Sequence, residues 1–199
     1  MIFFNVARVI LWPFAKILYG LRTTGLDNIP KKGRVILVSN HVHLIDPGLH
    51  AMCIPRSFRA MAKEELFKNR IVGFFMWLLG AFPVKRGRAD KSGIEYAAQI
   101  LNDEKMLMIF PEGTRSKRGK LAEFKGGVAI LNRMTGAPIV PAAIIAPRGV
   151  KPFHYIRIKY GKPISHDELW TGTKDLDVVA GRVRRRVAEL MEEANNGDC

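Results

Sequence analysis

Cysteine is scarce in this chain of 199 residues, which contains only Cys53 and Cys199. Two cysteines cannot build a disulfide framework or a cysteine zinc cluster, so both classes of small stapled protein are excluded. A reducing compartment is the expected environment. Cys53 lies in an apolar stretch with no base beside it, so we expect a buried core residue rather than a reactive nucleophile.

Uninterrupted apolar runs of the roughly 20 residues that a spanning helix needs are also missing. Arg8, Pro13 and Lys16 break the apolar segment 1–20, which lacks the positive start and the cleavage site of a secretory signal, so we expect it to be retained. Its apolar residues recur at spacings of one, three and four, which predicts an amphipathic helix on a membrane surface. A helix packed on the core is the alternative.

A second apolar segment, residues 71–84, contains no charge and is flanked on both sides by basic residues. Its 14 residues are too few to span a bilayer but are typical of a buried or re-entrant helix. This segment adds to the expectation of membrane contact.

Acidic residues are few, 18 against 32 basic ones, which gives a net charge of +14. Such a charge favours an anionic partner: nucleic acid, a phosphorylated metabolite or an acidic membrane surface. The aromatic residues at 74–77 cluster with aliphatic ones instead of alternating with Lys and Arg, so we do not expect nucleic acid.

Apolar runs alternate with helical segments along the chain, and neither a repeat nor a long linker divides it. The predicted strands are 35–39, 82–84, 106–110, 139–145 and 155–160, the last at a sheet edge. The predicted helices are 47–53, 63–79, 91–101, 127–135 and 174–193. This order predicts one α/β domain, residues 26–199, with a mostly parallel sheet covered by helices, after an N-terminal amphipathic membrane-associated segment at residues 1–25.

Three polar clusters directly follow predicted strands: residues 40–46, 85–88 and 111–115. The carboxyl ends of parallel strands meet at one edge of a sheet, where α/β proteins carry their chemistry. We therefore expect one site that combines a His/Asp pair with several cations.

His41 and Asp46 are the candidate acid–base pair of this site. On a helix they would lie about 140° apart, so they can pair only across a turn. Pro47 favours a helix start, which puts Asp46 at the beginning of that helix with its carboxylate open to the His41 ring. The carboxylate would hold one tautomer and leave the other ring nitrogen as a base. A purely structural His41 is the alternative.

A metal site at His41, His43 and Asp46 is the other hypothesis for this cluster. The H-x-H-x-D-H pattern of di-metal hydrolases needs Asp one place earlier and a following His, but positions 45 and 47 are Ile and Pro. We therefore predict no metal site.

Two motifs carry a family resemblance: residues 40–46 read NHVHLID and residues 110–116 read FPEGTRS. With the segments 80–86, 124–127 and 139–141, they resemble the 1-acylglycerol-3-phosphate acyltransferases of the glycerolipid acyltransferase family. The resemblance spans residues 36–146. It departs from the family at His43, where Ser or Thr is usual, and at residues 102–105, NDEK, where a turn with glycine is usual.

The resemblance implies transfer of a fatty acyl group from coenzyme A or acyl carrier protein to the free hydroxyl of lysophosphatidic acid, forming phosphatidic acid without a further cofactor. His41 would be the base, with Asp46 as its partner. By the family pattern Arg86 and Arg115 would hold the acceptor phosphate, and a guanidinium suits that task. Lys125 is a further candidate for this charge.

Arg88 is a weaker candidate of the same kind. Glu112 could orient Arg115 or accept from glycerol hydroxyls, with local pairing as the alternative. Gly113 permits a positive φ or a close approach of substrate, and Thr114 belongs to the same substrate-binding motif. A backbone N–H near the helix start at Asp46 could stabilise the oxyanion.

The resemblance also implies anionic membrane lipid as a partner, with a peripheral or monotopic protein whose active site lies at the cytoplasmic face. Other acceptors, glycerol-3-phosphate or another lysolipid, stay open. From a different class, a non-catalytic basic module that binds membrane or nucleic acid is the alternative.

Overall fold

A computed structural model of the chain describes residues 13, 16–78, 80–84, 91–116, 120–147 and 149–195. Its centre is a seven-stranded sheet in the order β1-β7-β6-β2-β5-β3-β4. The strands are β1 Arg22–Thr24, β2 Val35–Ser39, β3 Phe58–Lys63, β4 Ala81–Val84, β5 Met106–Ile109, β6 Ile139–Ile145 and β7 Arg157–Tyr160. The helices are α1 Asp46–Cys53, α2 Glu65–Lys68, α3 Arg70–Leu78, α4 Lys91–Asn102, α5 Gly127–Thr135, α6 His166–Trp170 and α7 Leu176–Asn195.

The five strands β2 to β6 run parallel to one another. β7 is antiparallel to β6, and β1 is parallel to β7. The carboxyl ends of β2 to β6 therefore lie at the same edge of the sheet as the amino ends of β1 and β7. We call this the carboxyl edge.

Two apolar layers cover the sheet because successive strand residues point to opposite faces. In β2, Ile36 and Val38 pack with α4, α5 and α7, whereas Val35 and Leu37 pack with α1. All four side chains are fully buried. A strand buried on both faces has to be apolar at every position, which explains the unbroken runs in the sequence.

The observed fold confirms the predicted α/β class with a mostly parallel sheet, and several elements differ from prediction, including the unpredicted strands β1 and β3. Residues 155–160 do not form an edge, because β1 pairs outside β7. The helix predicted over 63–79 gives way to the end of β3, then α2 and α3. The unpredicted α6 begins with a capping box in which the Ser165 side chain accepts from the backbone N–H of Glu168 at 3.2 Å.

Most of the predicted N-terminal membrane segment lies outside the described residues. Residues 16–19 are helical. β1 precedes the predicted boundary at residue 25 and belongs to the sheet. Among the helices that the structure describes, none is both long and apolar enough to cross a bilayer.

Candidate active site

His41 and Asp46 meet across the loop between β2 and α1. The Nδ1 atom of His41 lies 2.8 Å from Oδ2 of Asp46. The same oxygen accepts the backbone N–H groups of Val42 at 2.7 Å and His43 at 2.8 Å. The Asp46 side chain is fully buried and the His41 side chain is 14% exposed. With Nδ1 bound to the carboxylate, Nε2 is the ring nitrogen left for a substrate.

The backbone of His41 is held by the loop that follows β5. Its N–H donates to Oε1 of Glu112 at 2.8 Å, and its carbonyl accepts from the backbone N–H of Ser116 at 2.6 Å. The Ser116 hydroxyl donates to the same carbonyl at 3.1 Å. We call these contacts of Glu112 and Ser116 the backbone clamp. These contacts hold the backbone of residue 41 independently of its side chain.

Glu112 also ties a later part of the same β5–α5 connection to the clamp, because its Oε2 accepts the backbone N–H of Ala122 at 3.0 Å. Burial raises the pKa of Glu112, and the N–H donors of His41 and Ala122 act in the opposite direction. Both oxygens thus face backbone donors within the fold. Contact of Glu112 with Arg115 or glycerol hydroxyls stays a prediction.

A second histidine, His50, lies behind the site on α1. Its Nδ1 is 3.0 Å from the Tyr160 hydroxyl and its Nε2 is 3.2 Å from the Ser39 hydroxyl. Ser39 in turn donates to Oδ1 of Asn40 at 3.4 Å. Burial lowers the pKa of His50 to about 4, so its ring is neutral at pH 7. The Phe110 ring stacks on His41 at 4.3 Å between centroids and lies 6.5 Å from His50.

A cavity of about 930 Å³ opens beside His41 at the carboxyl edge. Its polar wall is formed by His41, Lys63, Thr114, Arg115, Ser116 and Lys125. Its apolar wall includes Met61, Leu66, Met76, Ile94, Val128 and Leu131. The cavity therefore joins a base, several cations and a long apolar surface.

The predicted cation and glycine positions lie on this wall as far as the structure describes them. Gly113 has φ of +70°, a backbone conformation that favours glycine, and a Cβ there would come within 2.9 Å of the flexible end of the Lys125 side chain, which would have to shift. Thr114, Arg115 and Lys125 are exposed to the cavity. Arg86 and Arg88 lie outside the described residues.

The two departures from the family motifs have visible local roles. The Nδ1 atom of His43 accepts the backbone N–H of Ile45 at 3.4 Å, so the ring turns into its own loop. In the turn before β5, Glu104 takes a positive φ of 57° and its carboxylate pairs with Arg34.

Several residues of the site were not predicted from the sequence. Ser116 and Asn40 lie inside the two family motifs, and this position was the one feature of the sequence that could have identified them as residues of the site. Lys63 ends β3, a strand whose alanines and basic residues weaken the apolar pattern. His50 and Tyr160 are 110 positions apart, and no local pattern connects them.

No group of three or more His, Cys, Asp or Glu side chains in the described part of the chain is arranged to hold a metal ion. Cys53 is buried, and burial raises its pKa to about 12.

Comparison with known proteins adds independent evidence. A family model described as acyltransferase matches residues 20–145. A 1-acyl-sn-glycerol-3-phosphate acyltransferase of Streptococcus pneumoniae is 31% identical over 84% of this chain and 64% of its own length. A chloroplastic 1-acyl-sn-glycerol-3-phosphate acyltransferase of Arabidopsis thaliana is 29% identical over 94% of this chain and 52% of its own.

The crystal structure of a 1-acyl-sn-glycerophosphate acyltransferase from Thermotoga maritima superimposes with a TM-score of 0.76, at 25% identity. It covers 96% of this chain and 81% of that one. The chain spans just over half to about two thirds of the length of the two curated relatives. Because the family model covers more than half of its residues, the chain belongs to the acyltransferase family.

Proposed function

We propose that this chain transfers a fatty acyl group from an acyl thioester to the free hydroxyl of 1-acyl-glycerol-3-phosphate, forming phosphatidic acid. The observation that carries the proposal is the 2.8 Å contact of His41 with Asp46, beside a cavity that both cationic and apolar side chains line. The Thermotoga maritima protein with this activity in its title has a similar fold, and the Streptococcus pneumoniae protein with this activity in its name is 31% identical in sequence, which supports the proposal.

The His41 ring supplies the base that the reaction needs. Its Nε2 takes the proton of the acceptor hydroxyl while the hydroxyl oxygen bonds to the thioester carbonyl carbon. The tetrahedral intermediate collapses, the carbon–sulfur bond breaks, and the proton passes from His41 to the departing sulfur. Asp46 holds the ring in the required tautomer and stabilises its transient positive charge.

The acceptor phosphate is bound by cations at the polar wall. Arg115 and Lys125 line the cavity together with Thr114, and the guanidinium of Arg115 suits two-pronged phosphate binding. Arg86 adds a further cation by the family pattern. The apolar wall takes acyl chain, where each buried methylene contributes about 0.8 kcal/mol.

Acceptor-dependent thiol release tests this proposal. Palmitoyl-coenzyme A and palmitoyl acyl carrier protein are compared as donors, each with and without lysophosphatidic acid, and a thiol reagent follows the released thiol. We expect release that depends on lysophosphatidic acid and is absent in His41→Ala. Faster thiol release with glycerol-3-phosphate would identify that compound as the acceptor instead. No thiol release with any acceptor would favour the alternative of a non-catalytic basic module.

Membrane attachment at the carboxyl edge is the second part of the proposal, with anionic lipid as the partner at the cytoplasmic face. Exposed apolar side chains gather near this edge. Ile17 and Phe153 precede β1 and β7, Leu44 follows β2, and Ile71 lies at the start of α3, which begins there. Trp77 is exposed at the other end of that helix. Aromatic and aliphatic residues flanked by basic ones are typical of interfacial attachment.

Electrostatic attraction adds to this apolar contact. Lys68 and Arg70 are exposed at the start of α3. Each basic residue near an acidic membrane adds about 1 kcal/mol, and this part is screened by salt. The apolar part is not screened, so the two contributions can be separated.

Sedimentation with anionic phosphatidylserine vesicles tests the attachment. We expect the full chain to pellet and high salt to release only part of it, because the apolar contact persists. Deleting residues 1–20, or replacing Ile71 and Trp77 with Ser, is expected to increase that release. The matched control replaces Met134, an exposed apolar residue near the end of α5 that leads to the amino end of β6 and so lies away from the carboxyl edge, and is expected to behave like the unchanged chain. Complete release of the intact chain by salt would contradict the apolar contact.

A further inference from the structure

His50 is a buried imidazole that the proposed reaction does not use. Both of its ring nitrogens are engaged, Nδ1 with the Tyr160 hydroxyl at 3.0 Å and Nε2 with the Ser39 hydroxyl at 3.2 Å. His50, Ser39 and Asn40 are at most 1% exposed, and so is Tyr160. The four residues form one hydrogen-bond chain, which we call the Tyr160–Asn40 chain.

One arrangement of protons makes every hydrogen bond of the Tyr160–Asn40 chain at once. The side chain of Asn40 donates through Nδ2 to the Ile144 carbonyl at 2.9 Å and accepts the Ile144 N–H at Oδ1 at 2.7 Å, which fixes its amide orientation. Oδ1 is therefore an acceptor, so the Ser39 hydroxyl donates to it. Ser39 then accepts from Nε2–H of His50, and the unprotonated Nδ1 accepts from Tyr160.

The chain ties α1 to the end of β2. Asp46 and His50 are four residues apart on α1, one helical turn, so they share one face of the helix. His50 contacts Ser39, which is two residues before His41. The contact therefore sets the distance between the helix that carries Asp46 and the end of the strand that leads to His41.

Asn40 anchors the other side of the same junction. The ladder between β2 and β6 ends at Ser39, opposite Ala142. Beyond it, the Asn40 side chain replaces the missing backbone pairing through its two bonds to Ile144. The main chain is thereby free to turn from the sheet into the His41 loop, and Phe110 fills the space between the rings of His41 and His50.

We propose that His50 is a positioning residue that holds Asp46 at hydrogen-bond distance from His41, through the Tyr160–Asn40 chain. This role rests on the proposed function, because it acts through the His41–Asp46 pair. His50 itself contacts no substrate.

Replacing His50 with Leu removes both bonds at similar volume. We expect kcat per folded molecule to fall about 10²-fold, the effect of a small displacement of a catalytic group, with the KM of donor and acceptor changed by less than about threefold. Val35→Ala, a buried change at the far end of β2, is the matched control. It is expected to lower the melting temperature and to leave kcat unchanged.

Tyr160→Phe is the gentler variant, in case His50→Leu does not fold. It removes one hydroxyl, and we expect kcat to fall about tenfold, the effect of one lost neutral hydrogen bond. If Tyr160 acts only through His50, the double variant His50→Leu/Tyr160→Phe should have the kcat of His50→Leu alone. If the two losses of kcat instead multiply in the double variant, His50 and Tyr160 act independently, which would contradict a connected hydrogen-bond chain.

A spectroscopic measurement separates this proposal from the proposed function. With ¹⁵N-labelled histidine, the Nδ1–H proton of His41 gives a downfield signal through its bond to Asp46. We expect the signal to move or broaden in His50→Leu and Tyr160→Phe and to persist in Val35→Ala. The signal needs no turnover, so it remains informative if the chain transfers no acyl group. An unchanged His41 signal and an unchanged kcat in folded variants would overturn the positioning role.

Discussion

The polar side chains that line the cavity fall into two groups, which we call the rigid wall around His41 and the open wall of Arg115 and Lys125, and these groups differ in how firmly the fold holds them. On one wall His41 is bound at its ring by Asp46 and at both backbone groups by Glu112 and Ser116. On the other, Arg115 and Lys125 are exposed, and no ion pair to either side chain is found among the described residues. The fold thus holds His41 in place before a substrate binds, whereas the charges of Arg115 and Lys125 are available to a ligand.

This difference matches the two tasks of an acyl transfer. A base works only within a narrow range of distance and angle, so its position is best fixed before substrate arrives. A phosphate can be held by flexible cations, because the charge attraction varies slowly with distance. We infer that the rigid wall determines turnover and the open wall determines acceptor affinity.

The largest expected effect is on the rigid wall. His41→Ala removes the base, so we expect kcat to fall roughly 10²- to 10⁴-fold, with lysophosphatidic acid still bound because its phosphate contacts lie elsewhere. Thiol release and calorimetric binding measure the two quantities. Near-normal turnover in the purified variant would refute the mechanism, and turnover that depends on added zinc would revive a metal mechanism.

On the open wall, Arg115→Ala is expected to reduce kcat/KM for the acceptor roughly 10- to 100-fold, the effect of losing hydrogen bonds to a charged group. Arg115→Lys should restore only part of it, because an ammonium lacks the two-pronged geometry. Donor hydrolysis without acceptor is the control. An equal loss of donor hydrolysis without acceptor would show that Arg115 binds the donor or stabilises the fold instead.

A smaller effect is expected at Glu112, which links the backbone N–H of His41 to that of Ala122. Glu112→Gln replaces one carboxylate oxygen with an NH₂ group that must face either the His41 or the Ala122 N–H, so one bond of the pair is lost. We expect kcat to fall about tenfold with acceptor KM nearly unchanged. A rise in acceptor KM alone would instead assign Glu112 to the glycerol hydroxyls.

These outcomes also bear on what a sequence can predict. The His41–Asp46 contact was predictable because Pro47 marks a helix start and the spacing excludes a helical pair. The carboxyl edge followed from apolar strands that are each followed by polar residues. Both inferences use information within a few positions of the residues concerned.

Other features depend on contacts between distant residues. β1 is three residues long and polar, so only its pairing with β7 identifies it as a strand. The partners of Glu112 are backbone groups 71 and 10 positions away, which no residue pattern encodes. His50 sits in the apolar helix α1, where a lone histidine carries no local sign of its partner Tyr160.

A further expected effect concerns stability. Burial lowers the pKa of His50 to about 4 from 6.5, with Asp46 acting to raise it and His41 to lower it. Between those values the unfolded chain binds a proton that the folded chain does not. The free energy of unfolding therefore falls as pH falls from about 7 to 4, by about 3 kcal/mol from this group.

Urea unfolding across this pH range checks that slope. His50→Leu should lose the His50 part of it, whereas Tyr160→Phe keeps the imidazole and should retain most of it. The same slope in the unchanged chain and in His50→Leu would show that His50 does not titrate on unfolding.

The backbone clamp has a practical consequence for trapping the reacting complex. Glu112 and Ser116 grip the main chain of residue 41, so the loop keeps its course when the ring is removed. We expect His41→Ala to keep the shape of the site but to lack the base, so donor and acceptor can bind together without transfer of the acyl group. Crystals of that stalled assembly would record both substrates before the bond forms.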